Sequence, residues 1–354
     1  MKKKLTDLCD IQYGYAFDSK LFTNDEGYIP LIRIRDVQRG FSETYYSGKY
    51  PVEYVVHPGD LLVGMDGEFN ISRWKDRDAL LNQRVCKITA KNGTSEEYIR
   101  FALSKALKEI EQRTSFVTVK HLSAKELNRL VLDIPCYSSQ VHIVGLCSSL
   151  ERIIEKRKKQ LQILDELIKA RFVEMFGDPA DISRKDKVEL SEICEKITDG
   201  EHGSVARVPN GHPFLNAKQI LKNGRIDWDT ITYVGDEDHQ RIYKRCNPVE
   251  GDILLTTTGT IGNVAIMPKA EEVSMDRGIT LIKIDRQKVT SEFVAELLKQ
   301  PSIQTEMGVN VHASAIGHLF MNRVKKLPAI LPSMESQAEF TAFVRQVDKS
   351  KSVA

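Results

Sequence analysis

The chain carries nearly the same message twice. Val55-Val56-His57-Pro58-Gly59-Asp60-Leu61-Leu62-Val63-Gly64 is echoed by Asn247-Pro248-Val249-Glu250-Gly251-Asp252-Ile253-Leu254-Leu255-Thr256, and Gly251 stands 192 positions after Gly59. Further on, Leu132-Asp133-Ile134-Pro135 is matched by Ala329-Ile330-Leu331-Pro332, 197 positions later, and each match leads to a glutamine, Gln140 or Gln337, that opens a helical pattern. Solenoid repeats have periods of about 20 to 50 residues, so a period this long is a duplicated domain.

With 354 residues the chain accommodates two domains of ordinary size and a connector. A duplicated domain implies a pseudo-twofold molecule, whose common targets are a DNA duplex or a pair of identical partner subunits. Hydrophobic residues are 41% of the chain, enough for a core in each half. The start, Met1-Lys2-Lys3-Lys4-Leu5-Thr6-Asp7, offers no apolar core for a signal peptide, and no run approaches a membrane span. Six cysteines without a Cys-x-x-Cys pair argue against zinc ribbons and disulfide scaffolds, and point to a reducing cytoplasm. The net charge of +2 neither announces nor excludes a nucleic-acid partner, because phosphate contact depends on local basic surface.

Between the copies, Gln140 to Phe176 contains no proline and a single glycine, Gly145. Cys147, Ile154, Leu161, Ile168 and Met175 recur at one heptad position; Ile143, Leu150, Arg157, Leu164 and Arg171 recur at another. This is coiled-coil spacing, over a helix roughly 55 Å long at 1.5 Å per residue. Gly177-Asp178-Pro179 supplies the stop. After Gln337, Phe340, Phe343, Val344 and Val347 form a matching stripe, on a helix only about half as long. The expectation is that this shorter helix leaves the stripe near Leu164 to Phe176 uncovered, as a surface for self-association or for a partner's helix.

Each half opens with strand-like segments, Ile29 to Arg35 and Pro213 to Ala217, and turns at Gly-Asp into further strands. A helical stretch closes each half, Ser95 to Arg113 and Thr290 to Gln300, before a polar segment. Strands first and helix later point to an α+β domain. The expected layout is a first domain at 1–139, a central helix at 140–178, a second domain at 179–335 and a C-terminal helix at 336–354.

Catalytic signatures are missing. The chain lacks a P-loop, an Asn-Pro-Pro-aromatic methyltransferase pocket and a His-Glu-x-x-His metal motif. Thr257-Thr258-Gly259-Thr260 reads as a strand-end turn with no general base beside it. No cofactor and no metal are expected, and the chain reads as a non-enzymatic recognition and assembly protein.

The Gly251-to-Asn263 stretch, the prolines and glutamines before both helices, and the central helix closing Lys169-Ala170-Arg171-Phe172-Val173-Glu174-Met175-Phe176-Gly177-Asp178-Pro179 together resemble the specificity subunit of type I DNA restriction–modification systems. The resemblance covers essentially the whole chain. It implies two tandem target recognition domains, each reading half of a split double-stranded DNA sequence. It further implies an antiparallel coiled coil that spaces the domains and docks methyltransferase subunits, with restriction subunits in the complex. Interface candidates are then Leu150, Ile154, Leu161, Leu164, Ile168, Met175, Phe340, Val344 and Val347. DNA-contact candidates, chosen as basic side chains in loop-like segments, are Arg73, Lys75, Arg113 and Lys120 in the first domain. In the second they are His202, Arg207, Lys218, His312 and His318. Each is also compatible with a solvated surface group. The alternatives that stay open are the specificity subunit of a related type II system, a coiled-coil scaffold that does not bind DNA, and an undetected nuclease or methyltransferase.

Overall fold

The computed structural model describes residues 1–113, 121–181, 187–309 and 317–353. The chain divides into two compact units, Met1–Glu155 and Lys156–Ala354, and the division falls inside the central helix.

In the first unit the apolar runs become a four-stranded antiparallel sheet: β1 (Cys9–Tyr13), β2 (Leu61–Gly64), β3 (Ile71–Arg73) and β4 (Val85–Ala90), in the spatial order β1-β4-β2-β3. The second unit repeats that order with β5 (Cys194–Asp199), β6 (Ile253–Thr256), β7 (Val264–Ile266) and β8 (Ile279–Ile284), arranged β5-β8-β6-β7. Leu61-Leu62-Val63 and Ile253-Leu254-Leu255 are continuous apolar runs because both faces of each sheet are covered, so successive side chains enter different cores. Leu61 and Val63 pack with Ile99, Leu103 and Leu107 of helix α1 (Glu96–Arg113), whereas Leu62 packs with Ile32 and Trp74. Likewise Ile253 and Leu255 join the core around Phe293, and Leu254 joins Leu215 and Met275.

The duplicated Gly-Asp motif has a local cause. Gly59 and Gly251 adopt φ of 97° and 86°, a left-handed turn that costs glycine little. The following Asp then closes the turn: Asp60 accepts from the His57 N–H at 2.9 Å, and Asp252 accepts from the Val249 N–H at 2.9 Å. A lysine from the neighbouring strand neutralises each carboxylate, Lys87 at 3.4 Å and Lys283 at 2.6 Å. The first expected strand is shorter than its apolar pattern. It ends at Ile32, because Asp36 draws the Arg33 N–H into the start of a helix, Ile34–Arg39.

The central helix α2 spans Tyr137–Phe176. Its C-terminal part belongs to the second unit and packs against α3 (Ser291–Leu298) and α4 (Met334–Val353). Phe172 is fully buried, stacked on Phe293 at 5.5 Å and edge-on to Phe340 at 5.4 Å. Ion pairs Arg171–Glu339 (2.9 Å) and Asp165–Lys351 (2.8 Å) run in opposite senses along the two helices, so α2 and α4 are antiparallel.

That direction corrects the expectation of an uncovered stripe at Leu164 to Phe176. In an antiparallel pair the start of the short helix meets the end of the long one. Ile168, Phe172, Phe176, Phe340, Val344 and Val347 are accordingly buried, and Leu164 and Met175 are half-buried against the same core. Within that stretch Leu167 and Val173 are the large apolar side chains that stay exposed, and the longer exposed apolar run lies upstream: Val141, Leu146, Leu150 (59%), Ile153, Ile154 (53%), Leu161 and Ile163.

Candidate nucleic-acid interface

Each unit repeats one backbone frame at the end of its sheet. The strand β2 runs out into Met65-Asp66-Gly67, and β6 into Thr257-Thr258-Gly259. Met65 donates its N–H to the Arg84 carbonyl at 2.9 Å and accepts from Leu122 at 2.7 Å; Thr257 donates to Gly278 at 2.8 Å and accepts from Leu319 at 2.9 Å. Asp66 bridges to His121, and Thr258 to His318. The turns entering β4 and β8 are therefore held beside a histidine that follows an undescribed segment, once in each unit.

The side chains on the frame differ. In the first unit Asp66 pairs with His121, and the Arg84 guanidinium lies 3.0 and 3.2 Å from the two ring nitrogens of His121 and 3.6 Å from Asp66. Arg84 has φ of 72°, the one non-glycine left-handed residue among those described. Such a conformation costs of order 1–3 kcal/mol and is tolerated where surrounding contacts hold it.

In the second unit Thr258 Oγ1 lies 2.8 Å from His318 Nδ1, and the His318 ring meets Phe320 edge-on at 4.8 Å. Burial, reinforced by the Arg277 cation, holds the His318 imidazole below the usual histidine range. These groups line a cleft of about 610 Å³ together with Asp199, His202, Arg277, Met321 and Asn322. Asp199 is matched by His202 at 2.6 Å and by Arg245.

The cleft brings together two of the DNA-contact candidates, His202 and His318. Arg73 is placed elsewhere: its guanidinium binds Glu97 at 2.7 Å, Glu96 at 3.0 Å and the Gly59 carbonyl at 2.6 Å, tying β3 to the start of α1. Lys75 is exposed, with its stem against Gly40. Arg207 lies over the Phe214 ring at 4.0 Å, and Lys218 is exposed on a short turn, Ala217–Gln219. Lys120 and His312 lie outside the described residues, as does the side chain of Arg113. Arg84 and Arg277 escaped the sequence reading because each sits in a turn of unremarkable composition. The signal was in the duplication: Leu81-Asn82-Gln83-Arg84-Val85 corresponds to Met275-Asp276-Arg277-Gly278-Ile279.

Two tandem α+β units that repeat both a sheet order and an exposed loop frame define a paired recognition protein. The model for the type I restriction modification DNA specificity domain matches residues 1–164 and 185–352. The chain belongs to this family, and as a type I specificity subunit its role is DNA target recognition. It is 29% identical to the type I restriction enzyme EcoBI specificity subunit of Escherichia coli over 375 residues, covering 98% of this chain and 79% of that one. The MjaVIII specificity subunit of Methanocaldococcus jannaschii is 19% identical, covering 91% of this chain and 80% of that one. Among solved structures, a chain from work on complex assembly and conformational transition of the type I R-M system superposes with a TM-score of 0.50 at 13% identity. That match covers 100% of this chain and 91% of the other, a likeness of fold. Among the described residues no cluster of three potential metal ligands is found, and no helix is long and apolar enough to cross a membrane.

Proposed function

We propose that this chain reads a split duplex target, one half with each unit, and holds methyltransferase and restriction subunits in place while performing no chemistry of its own. The observation that carries the reading is the duplication of the loop frame with different side chains: Asp66, Gln83, Arg84 and His121 in one unit, Thr258, Arg277, Gly278 and His318 in the other. A shared frame with divergent groups is what two readers of unlike half-sequences require, because base edges are distinguished by the donors and acceptors set against them. The exposed apolar side chains of the upstream half of α2, including Leu150, Ile154 and Leu161, are the proposed seat for partner subunits.

The test is a domain exchange. Replacing residues 1–135 with the matching domain of a relative, in the complete complex with its methyltransferase, should alter one half of the methylated sequence and leave the other intact. A change in both halves, or in neither while methylation persists, would overturn the two-reader model.

A further inference from the structure

Gln83 and Arg277 occupy the same backbone position in the two units. Each is the second residue of a four-residue turn, closed by the Val85 N–H on the Asn82 carbonyl at 3.2 Å and by the Ile279 N–H on the Asp276 carbonyl at 3.2 Å. Each also donates its own N–H across to the neighbouring segment, Gln83 to Tyr15 at 2.8 Å and Arg277 to Glu201 at 2.9 Å. The approach is tight: a Cβ on Gly14 would lie 2.0 Å from the Asn82 carbonyl oxygen, and one on Gly200 would lie 2.2 Å from that of Met275. The main chain is thus fixed where the side chain is exposed.

Charge accounting isolates Arg277. Asp199 is matched by His202 and Arg245, and Glu201 by Arg241 and by the Gly203 N–H at 2.7 Å. Asp276 accepts from the Gly278 N–H at 2.8 Å and feels the Arg207 and Arg277 cations without an ion pair to either. Among the described residues no hydrogen bond or ion pair takes up the guanidinium of Arg277 or the amide of Gln83. Arg277 lines the cleft with the exposed amide of Asn322 and the apolar surfaces of Phe320 and Met321. A planar five-donor fork beside an amide and apolar groups matches base edges: Arg pairs with guanine O6 and N7, an amide with adenine N6 and N7. Phosphate contact carries no base information and is also made by lysine, acting as a point charge.

We infer that Arg277 reads a guanine in the half-sequence taken by the second unit, and that Gln83 reads an adenine in the half taken by the first. The inference rests on the DNA-recognition reading and assigns it to one residue per unit. The experiment uses the whole chain in complex with its methyltransferase, and measures base preference at every target position for wild type, Arg277→Lys, Arg277→Gln and Gln83→Arg. Arg277→Lys keeps the charge but loses the fork. It and Arg277→Gln should each lose about ten- to a hundredfold discrimination at one guanine, with the other half unchanged. Gln83→Arg should move one position of the opposite half from adenine toward guanine. Thermal unfolding should stay at the wild-type value, because both side chains are exposed. The inference is overturned if Arg277→Lys keeps full preference while Arg277→Gln weakens all sequences evenly, the behaviour of a phosphate contact. Unchanged preferences in every variant overturn it as well. A wild-type complex without any sequence preference sinks the recognition reading itself, and this inference with it.

Discussion

The amide oxygen of Gln140 accepts the backbone N–H of Ser95 at 2.8 Å, 45 positions back in the chain. Its twin, Gln337, accepts from Thr290 at 2.9 Å. Both glutamines are buried and both return their NH2 to a carbonyl, Pro135 for Gln140 and Pro332 and Lys288 for Gln337. Each therefore fastens the start of α1 or α3 to the start of the helix that carries the glutamine, α2 or α4. Gln337→Ala should leave a buried N–H and two carbonyls unpaired, at a cost of about 1–3 kcal/mol. The loss should be confined to the second unit and read as faster hydrogen exchange in Ser291–Leu298. Gln140→Ala should do the same to Glu96–Arg113. Protection unchanged in both would show that the helix starts do not depend on these amides.

Much of this architecture was legible. The repeat gave two domains because Gly-Asp and Gln serve purely local folding roles, a turn and a junction, that leave a mark in sequence. The helices were visible because Ile99, Leu103 and Leu107, or Phe340, Val344 and Val347, face one core at helical spacing. What failed was register between distant elements. A heptad stripe alone does not say which end of α2 the short α4 covers; the antiparallel sense implied by the resemblance does, and the uncovered-stripe expectation did not follow it through to the Phe172–Phe340 contact at the end of α2. The side chains proposed to contact DNA were the least legible. Choosing basic loop residues picked Arg73, whose charge is spent on Glu96 and Glu97, and passed over the exposed Arg277, because neutralisation depends on partners far along the chain.

The two parts of the central helix should respond oppositely to mutation. Phe172→Ala empties a fully buried aromatic site and should cost the second unit about 3–5 kcal/mol. Ile154→Asp, at an exposed position, should change folding stability by no more than about 0.5 kcal/mol. It should nevertheless abolish co-purification with the methyltransferase, if the upstream apolar face is the docking seat. A stable Phe172→Ala, or an Ile154→Asp that still assembles, would contradict the corresponding half.

The cysteines should separate by reactivity. Cys136 is exposed, and the hydroxyls of Ser138 and Ser139, at 3.3 and 3.2 Å, favour its thiolate and bring its pKa down to about 7. Burial pushes Cys86 up to about 12, and Cys9, Cys194 and Cys246 likewise. Since the thiolate is the nucleophile, brief alkylation of the folded chain near neutral pH should label Cys136 first. Cys136→Ser should remove the fast phase seen by mass spectrometry. Equal labelling of Cys86 would show that the first core opens on that timescale.

His318 links acidity to the stability of the second unit. Burial and the Arg277 cation both disfavour its protonated form, so its folded pKa lies below the unfolded one. As pH falls through the histidine range, the unfolded chain takes up this proton first, and the second unit loses stability on acidification; above that range the group has no effect. The imidazole midpoint, followed by NMR, should lie below that of a free histidine. In Arg277→Gln it should move up toward the ordinary value, since one of the lowering causes is gone. The Thr258 contact at 2.8 Å does not involve Arg277 and should persist in that variant, so a shift is expected to report the lost cation rather than a displaced ring. A midpoint that does not move would mean that the Arg277 guanidinium points away from His318 in solution, and would weaken its placement in the cleft.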